Sequence, residues 1–168
     1  MAELNPRDRL QPFLLDRLTD DTPGAARESR DKGVMSPQQL KVALLRDLAW
    51  LLNTPAPAPD EGLGEFPNVV ASVLNFGVAD LTGLTASGVG AAALERDVLR
   101  AIQAFEPRLD RRSVSVRMLT DEEGASPNTL ALEIRGQVIA NPLPESLYLK
   151  TSVDLETGQM DLKDRPNG

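Results

Sequence analysis

Glu106 and Asp110, in the segment "AFEPRLD" of residues 104–110, are the two carboxylates whose spacing invites an acid–base chemistry. Glycoside hydrolysis is what such a pair would serve, with one carboxyl kept protonated by an apolar pocket and the other ionised across a sugar-binding cleft. The neighbouring cations Arg108, Arg111 and Arg112 argue against it, because nearby positive charge pulls carboxylate pKa values down. Sugar platforms are also short of material, with one Trp, one Tyr and four Phe. The 168 residues include no histidine and no cysteine, which removes the imidazole base, the thiolate nucleophile, the Cys/His zinc site and the disulfide. No Asp/Asn/Gly loop has calcium-binding spacing. The glycine cluster "ASGVGA" (86–91) lacks a clear preceding strand and a P-loop lysine, so it reads as a turn opening a helix. The expectation is a protein that is not an enzyme, with no catalytic residue, no metal and no cofactor.

The same segment raises a question of placement. Glu106 falls where a helical pattern stops, and a helix C-terminus disfavours a carboxylate by about 0.3–1 kcal/mol when exposed. Pro107 explains the stop, since it lacks an amide hydrogen and pushes the preceding residue out of helical geometry. Arg108 then either complements the helix terminus, pairs with Glu106, or joins it in contacting another protein. Arg108, Arg111, Arg112 and Arg117 form a locally basic strip, either a solvated strand entry balanced by Asp110 or a docking patch for an acidic surface.

These residues need elements to hold them. Residues 1–35 read as a partly extended arm with one short amphipathic piece, in which Phe13, Leu14 and Leu18 share a face. Residues 36–163 read as a single domain, and 164–168 as a frayed tail. "SPQQLKVALLRDLAWLLNT" opens with Ser36 as N-cap, Pro37 at the first helical position and Gln39 completing a capping box. Leu40, Leu44, Leu48 and Leu51 recur there at helical spacing. The segment 66–83 predicts a short helix after Pro67, ended by Gly77 and largely buried, then a tight turn over 80–83. A second long helix spans about 88–105 on the stripe Leu94, Val98, Ile102 and Phe105, with Glu95, Arg96, Arg100 and Gln103 facing away.

From residue 112 the period changes to two, over "SVSVRML", "NTLALEIRGQVI" and "SLYLKTSVDL", and "ETGQ" turns the chain back through Met160 and Leu162. Helices followed by strands predict an α+β fold: two or three N-terminal helices packed on one face of a mostly antiparallel four-stranded sheet. Lys150, Asp154, Asp161 and Lys163 are expected on or near a sheet edge, either as protective charges or to select an incoming strand.

Formal net charge is −7, which disfavours nucleic acid and anionic lipid as partners. No apolar run approaches the ~20 residues of a membrane span, so direct membrane insertion is not expected. Absence of cysteine suits a reducing compartment, and a soluble cytoplasmic protein is the expectation.

"RDLAWLLNT" (46–54), "FPNVVASVLNFGVADLTG" (66–83), "AIQAFEPRL" (101–109) and "PLPESLYLKTSVDLETG" (142–158) occur together and in order. In this the sequence resembles the TssE baseplate subunits of type VI secretion systems, within the lysozyme-like wedge family of contractile phage tails. The resemblance covers roughly residues 8–160. It implies a structural role beside other baseplate wedge subunits, in the cytoplasm on a baseplate docked at an inner-membrane complex. It also implies contact with contractile sheath proteins by strand sharing. The family's Glu-Pro-Arg signature falls on Glu106, Pro107 and Arg108, which by this resemblance contact the wedge core. Arg111, Arg112, Lys150 and Asp154 complete the expected partner-binding set. The equivalent subunit of a phage or other injection device is the neighbouring alternative, and a peptidoglycan hydrolase is the alternative of a different class.

Overall fold

The computed structural model describes residues 12–19, 35–57, 65–70, 72–82, 90–119, 128–139 and 145–164. Most of the arm expected over 1–35, most of the "ASGVGA" turn and the tail beyond 164 lie outside them.

Local signals set the long helices. Ser36 caps α2 (Pro37–Leu52): its Oγ accepts from the Gln39 amide at 3.2 Å, and its own amide donates to Gln39 Oε1 at 2.8 Å. Two otherwise orphaned donors are thereby satisfied. Leu40, Leu44, Leu48 and Leu51 are buried along one stripe of α2. Helix α4 (Ala91–Phe105) buries Leu94, Val98, Ala101 and Ile102, and Phe105 meets Phe76 edge to face at 5.3 Å between ring centres. Each fully buried Leu, Ile or Val contributes about 1.5–3 kcal/mol.

Both helices cover one face of a single antiparallel sheet in the order β1-β2-β3-β4. Its strands are β1 (Ser115–Leu119), β2 (Thr129–Val138), β3 (Glu145–Asp154) and β4 (Met160–Asp164). Leu132, Ile134, Leu149 and Val153 are buried on the helix side. The β2–β3 register pairs Ile134 with Leu149 and Glu133 with Lys150. Gly158, at φ +72°, makes the turn that returns the chain into β4. The arrangement is the α+β fold expected, with four α-helices among the described residues. None of those helices is long and apolar enough to cross a membrane.

Three expectations need correction. The strand expected from 112 starts at Ser115, because Asp110 folds 110–113 into a turn: its Oδ1 accepts from the Arg112 amide at 3.1 Å and its carbonyl from the Ser113 amide at 2.9 Å. None of the described residues of 66–76 is fully buried. Helix α3 (Pro67–Val70) and a 3₁₀ turn (Val73–Asn75) form, but Val73 is 80% and Leu74 70% exposed, and Phe66 is exposed as well. Helix α3 stops at Val70, so Gly77 does not end it and serves a close approach instead. At φ +127° its missing Cβ leaves room for the Thr54 carbonyl, where Val78 pairs in parallel with Pro55. Finally, in α1 (Leu14–Leu18), Leu14 and Leu18 point to solvent, while Phe13 packs against the core instead of sharing their face.

Candidate docking corner

Pro107 ends α4 as expected, and the next residues are stitched to the end of β2. Ile139 donates its amide to the Arg108 carbonyl at 2.7 Å, and Asp110 donates to the Gln137 carbonyl at 2.9 Å. Leu109, bridged to Val138, is buried beneath. The backbone at 108–110 is therefore held at both sides, which fixes where the Arg108 side chain begins.

Glu106 is the C-cap of α4 and is only 3% exposed. Its partner is Arg108, whose Nε donates to Glu106 Oε1 and whose Nη2 donates to Oε2. Pro107 has no amide hydrogen, so Oε1 takes the next one, the Arg108 amide, at 3.1 Å. Arg108 Nη1 turns the other way, to Asp47 Oδ2 on α2 at 2.8 Å. Asp47 Oδ1 accepts from Arg46 Nε at 2.8 Å, and Arg46 Nη1 reaches Asp16 Oδ1 on α1 at 2.7 Å. The phenyl ring of Phe13 lies against the guanidinium of Arg108, 4.1 Å from its carbon to the ring centre. Charges thus alternate Glu106, Arg108, Asp47, Arg46, Asp16 across three elements, and the mismatch of a carboxylate at a helix end is resolved by Arg108.

Electrostatics follows this geometry. Burial works to lower the pKa of Arg108, but Glu106 and then Asp47 outweigh it, so the guanidinium is held above its ordinary value. Hydrogen bonds to Asp47 and Asp16 likewise raise that of Arg46. Both cations stay charged at any pH the fold tolerates.

Of the expected contact residues, Glu106 and Arg108 are turned inward and joined. Pro107, Arg111 and Arg112 are exposed at the rim of the same corner. Arg117 is exposed on β1. Lys150 and Asp154 are not on an edge, because β3 lies between β2 and β4: Lys150 is paired with both Glu133 and Lys163 across the sheet. Asp154 instead holds the hairpin, accepting at Oδ1 from the Glu156 and Thr157 amides. Asp161 and Lys163 do lie on the edge strand β4.

Both edges carry a side-chain seal that the sequence did not announce. Asn53, just past α2, donates Nδ2–H to the Met160 carbonyl at 2.9 Å and accepts from the Met160 amide at 2.8 Å, as a neighbouring strand would. On β1, the Met118 amide donates to Glu95 Oε1 at 2.7 Å, so Glu95 does not simply face solvent. The last β4 residue, Asp164, is tied to Lys41 of α2 at 2.7 Å. The sheet face away from the helices holds Glu133, nearly buried, between Arg135 and the Tyr148 hydroxyl. Arg135 and then Tyr148 keep the Glu133 pKa below its ordinary value.

Asp47, Arg46, Asp16 and Phe13 were the corner members missed from sequence. Asp47 and Arg46 lay within a helix named for its leucines, and only the tertiary crossing of α2 with the 106–108 corner brings them to Arg108. Among the described residues no group of three acidic residues could hold a metal. No curated protein and no solved structure matches this chain. The family described as baseplate wedge protein gp25 matches residues 38–143, a span that includes nearly all of α2, α4, residues 106–112 and β1 with β2. The chain belongs to the gp25 baseplate wedge family, which is the family of TssE.

Proposed function

We propose that this protein is a structural subunit of a type VI secretion baseplate wedge, working in the cytoplasm on a baseplate docked at an inner-membrane complex. It meets the other wedge subunits through the corner at residues 106–112 and helps the contractile sheath begin to polymerise. The observation that carries this role is the gp25 family match, which spans Asp47 and residues 106–112. Two features support it. The corner is stiffened by a continuous ion-pair chain and presents Pro107, Arg111 and Arg112 outward. Phe66, Val73 and Leu74 stand in solvent on a neighbouring stretch, as apolar residues do where a partner covers them. For the sheath, an incoming strand fits the Leu162–Asp164 half of β4, since Asn53 closes the Met160 half.

Peptidoglycan hydrolysis is disfavoured by the same geometry. Both oxygens of Glu106 are engaged by Arg108, leaving neither to protonate a glycosidic oxygen. Clearing of a peptidoglycan zymogram that is lost in Glu106→Gln would reverse this preference. Neighbouring genes for secretion-system rather than phage components decide the device.

The direct test is co-purification of Glu106→Ala and Arg108→Ala with the remaining wedge subunits. Because both side chains belong to a buried ion network, each variant also loses stability. Val153→Ala, which opens a cavity at the far end of the sheet, supplies the destabilised control. Docking through the corner requires that the two corner variants fail to assemble while the control assembles. Normal assembly by both corner variants would refute it.

A further inference from the structure

Three of the five N–H donors of the Arg108 guanidinium are committed within the subunit, and its side chain is only 16% exposed. Nε and Nη2 are committed to Glu106 and Nη1 to Asp47, and Phe13 covers a face of the guanidinium. The cover itself is weakly fixed. Helix α1 has five residues, buries none of them fully, and leaves Leu14 and Leu18 more than 70% exposed. A helix that short is not stable without tertiary support. Among the described residues it is tied to the domain by the Phe13 ring, which packs against the core and over Arg108, and by the ion pair of Asp16 with Arg46. Both are single, half-buried contacts, whereas beneath them Glu106 and Asp47 grip the Arg108 guanidinium from two sides.

We infer that α1 is a detachable clasp: it shuts the Glu106–Arg108 corner in the free subunit, and a wedge partner reaches Arg108 only after Phe13 lifts off. The clasp has meaning only if the corner docks, as proposed above. A partner that needs the open form binds with an apparent affinity reduced by the fraction of molecules that are open. Two weak ties correspond to a closed state favoured roughly three- to thirtyfold. The subunit would therefore be guarded against premature contacts by a segment that costs little to remove. The alternating charges allow this, because lifting α1 removes only the terminal pair of the chain and leaves Arg108 with Glu106 and Asp47.

The experiment measures binding of full-length protein to the purified remaining subunits of its own wedge. Phe13→Ala is expected to bind about three- to thirtyfold more tightly than the parent. In the opposite direction, the absence of native cysteine permits a specific lock. Asp16→Cys with Arg46→Cys, joined by a short bis-maleimide carrying a reducible disulfide, should bind at least ~tenfold more weakly than the same molecule after reduction. Phe13→Ala binding no better than the parent, or the locked form binding as well as the reduced one, overturns the clasp. The two proposals separate cleanly. Loss of binding by Arg108→Ala together with unchanged binding by Phe13→Ala would leave the docking corner standing and remove the clasp. Normal binding by Arg108→Ala would remove the corner, and the clasp with it.

Discussion

A charged residue turned inward must bring its own counter-charges, and Arg108 shows how unequal the members of such a set are. It holds two carboxylates, while Glu106 holds one cation. Deleting Arg108 leaves Glu106 buried and unpaired with Asp47 half-served, whereas deleting Glu106 leaves Arg108 still bound to Asp47. Removal of one partner from a buried pair costs about 3–5 kcal/mol, mostly from the stranded charge. Arg108→Ala should therefore lose about that much stability in urea at neutral pH, and Glu106→Ala less, about 1–3 kcal/mol. Equal losses, or a smaller loss for Arg108→Ala, would mean that Asp47 contributes nothing to holding the guanidinium. Part of this was legible beforehand: a carboxylate at a helix end, a proline and an arginine predict either a local pair or a partner's contact. What the sequence could not rank was burial. Glu106 looks equally available whether Arg108 folds back on it or reaches outward, and the choice depends on Asp47, which lies 61 positions away from Arg108.

Elements were legible where a local rule fixed them and illegible where neighbours did. The capping box of α2 and the stripe of α4 are each decided within a dozen residues, and each formed as expected, whereas β2 is buried on both faces from Leu130 to Ile134. The 66–76 stretch failed because its valines and leucine satisfy a helical pattern without saying whether anything covers them. Gly77 does not end α3, which stops at Val70, and the demand on it lay elsewhere. A Cβ there would come within 2.2 Å of the Thr54 carbonyl and 2.9 Å of the Ala56 nitrogen, both backbone atoms that a rotamer change cannot move. Gly77→Ala must displace the segment that joins α2 to Val78, with a cost on the order of 2–3 kcal/mol from strain and lost bridge hydrogen bonds. The amides of Ala56 and Val78, which donate across this bridge at 2.8 and 3.0 Å, should lose hydrogen-exchange protection ahead of those in β2 and β3. Unchanged stability together with intact protection at both amides would show that the chain relaxes around the added methyl.

The whole molecule has an unusual titration because its sequence lacks histidine. Between the carboxylates and the lysines no side chain has an ordinary pKa, so folding should exchange almost no protons from about pH 6 to 9. Acid is different. Glu133 is held below its ordinary pKa by Arg135 and Tyr148, and Asp80 by hydrogen bonds from Thr82. As pH falls, the unfolded chain takes up these protons first, so it binds more of them than the native state does and stability drops. The contribution of each group is complete above the unfolded carboxylate range, about pH 4–5, and disappears as pH passes below the depressed folded value. Arg46, Arg108 and Arg135 are raised rather than lowered, and their contributions hold below the range in which arginine titrates, down to the acid range where their carboxylate partners take up protons. The urea midpoint should accordingly be level from about pH 6 to 9 and fall below about pH 5, with Glu133→Gln flattening part of the acid limb. A midpoint that slides between pH 6 and 8 would require either an α-amino group held by the fold or a carboxylate pushed far above its ordinary range.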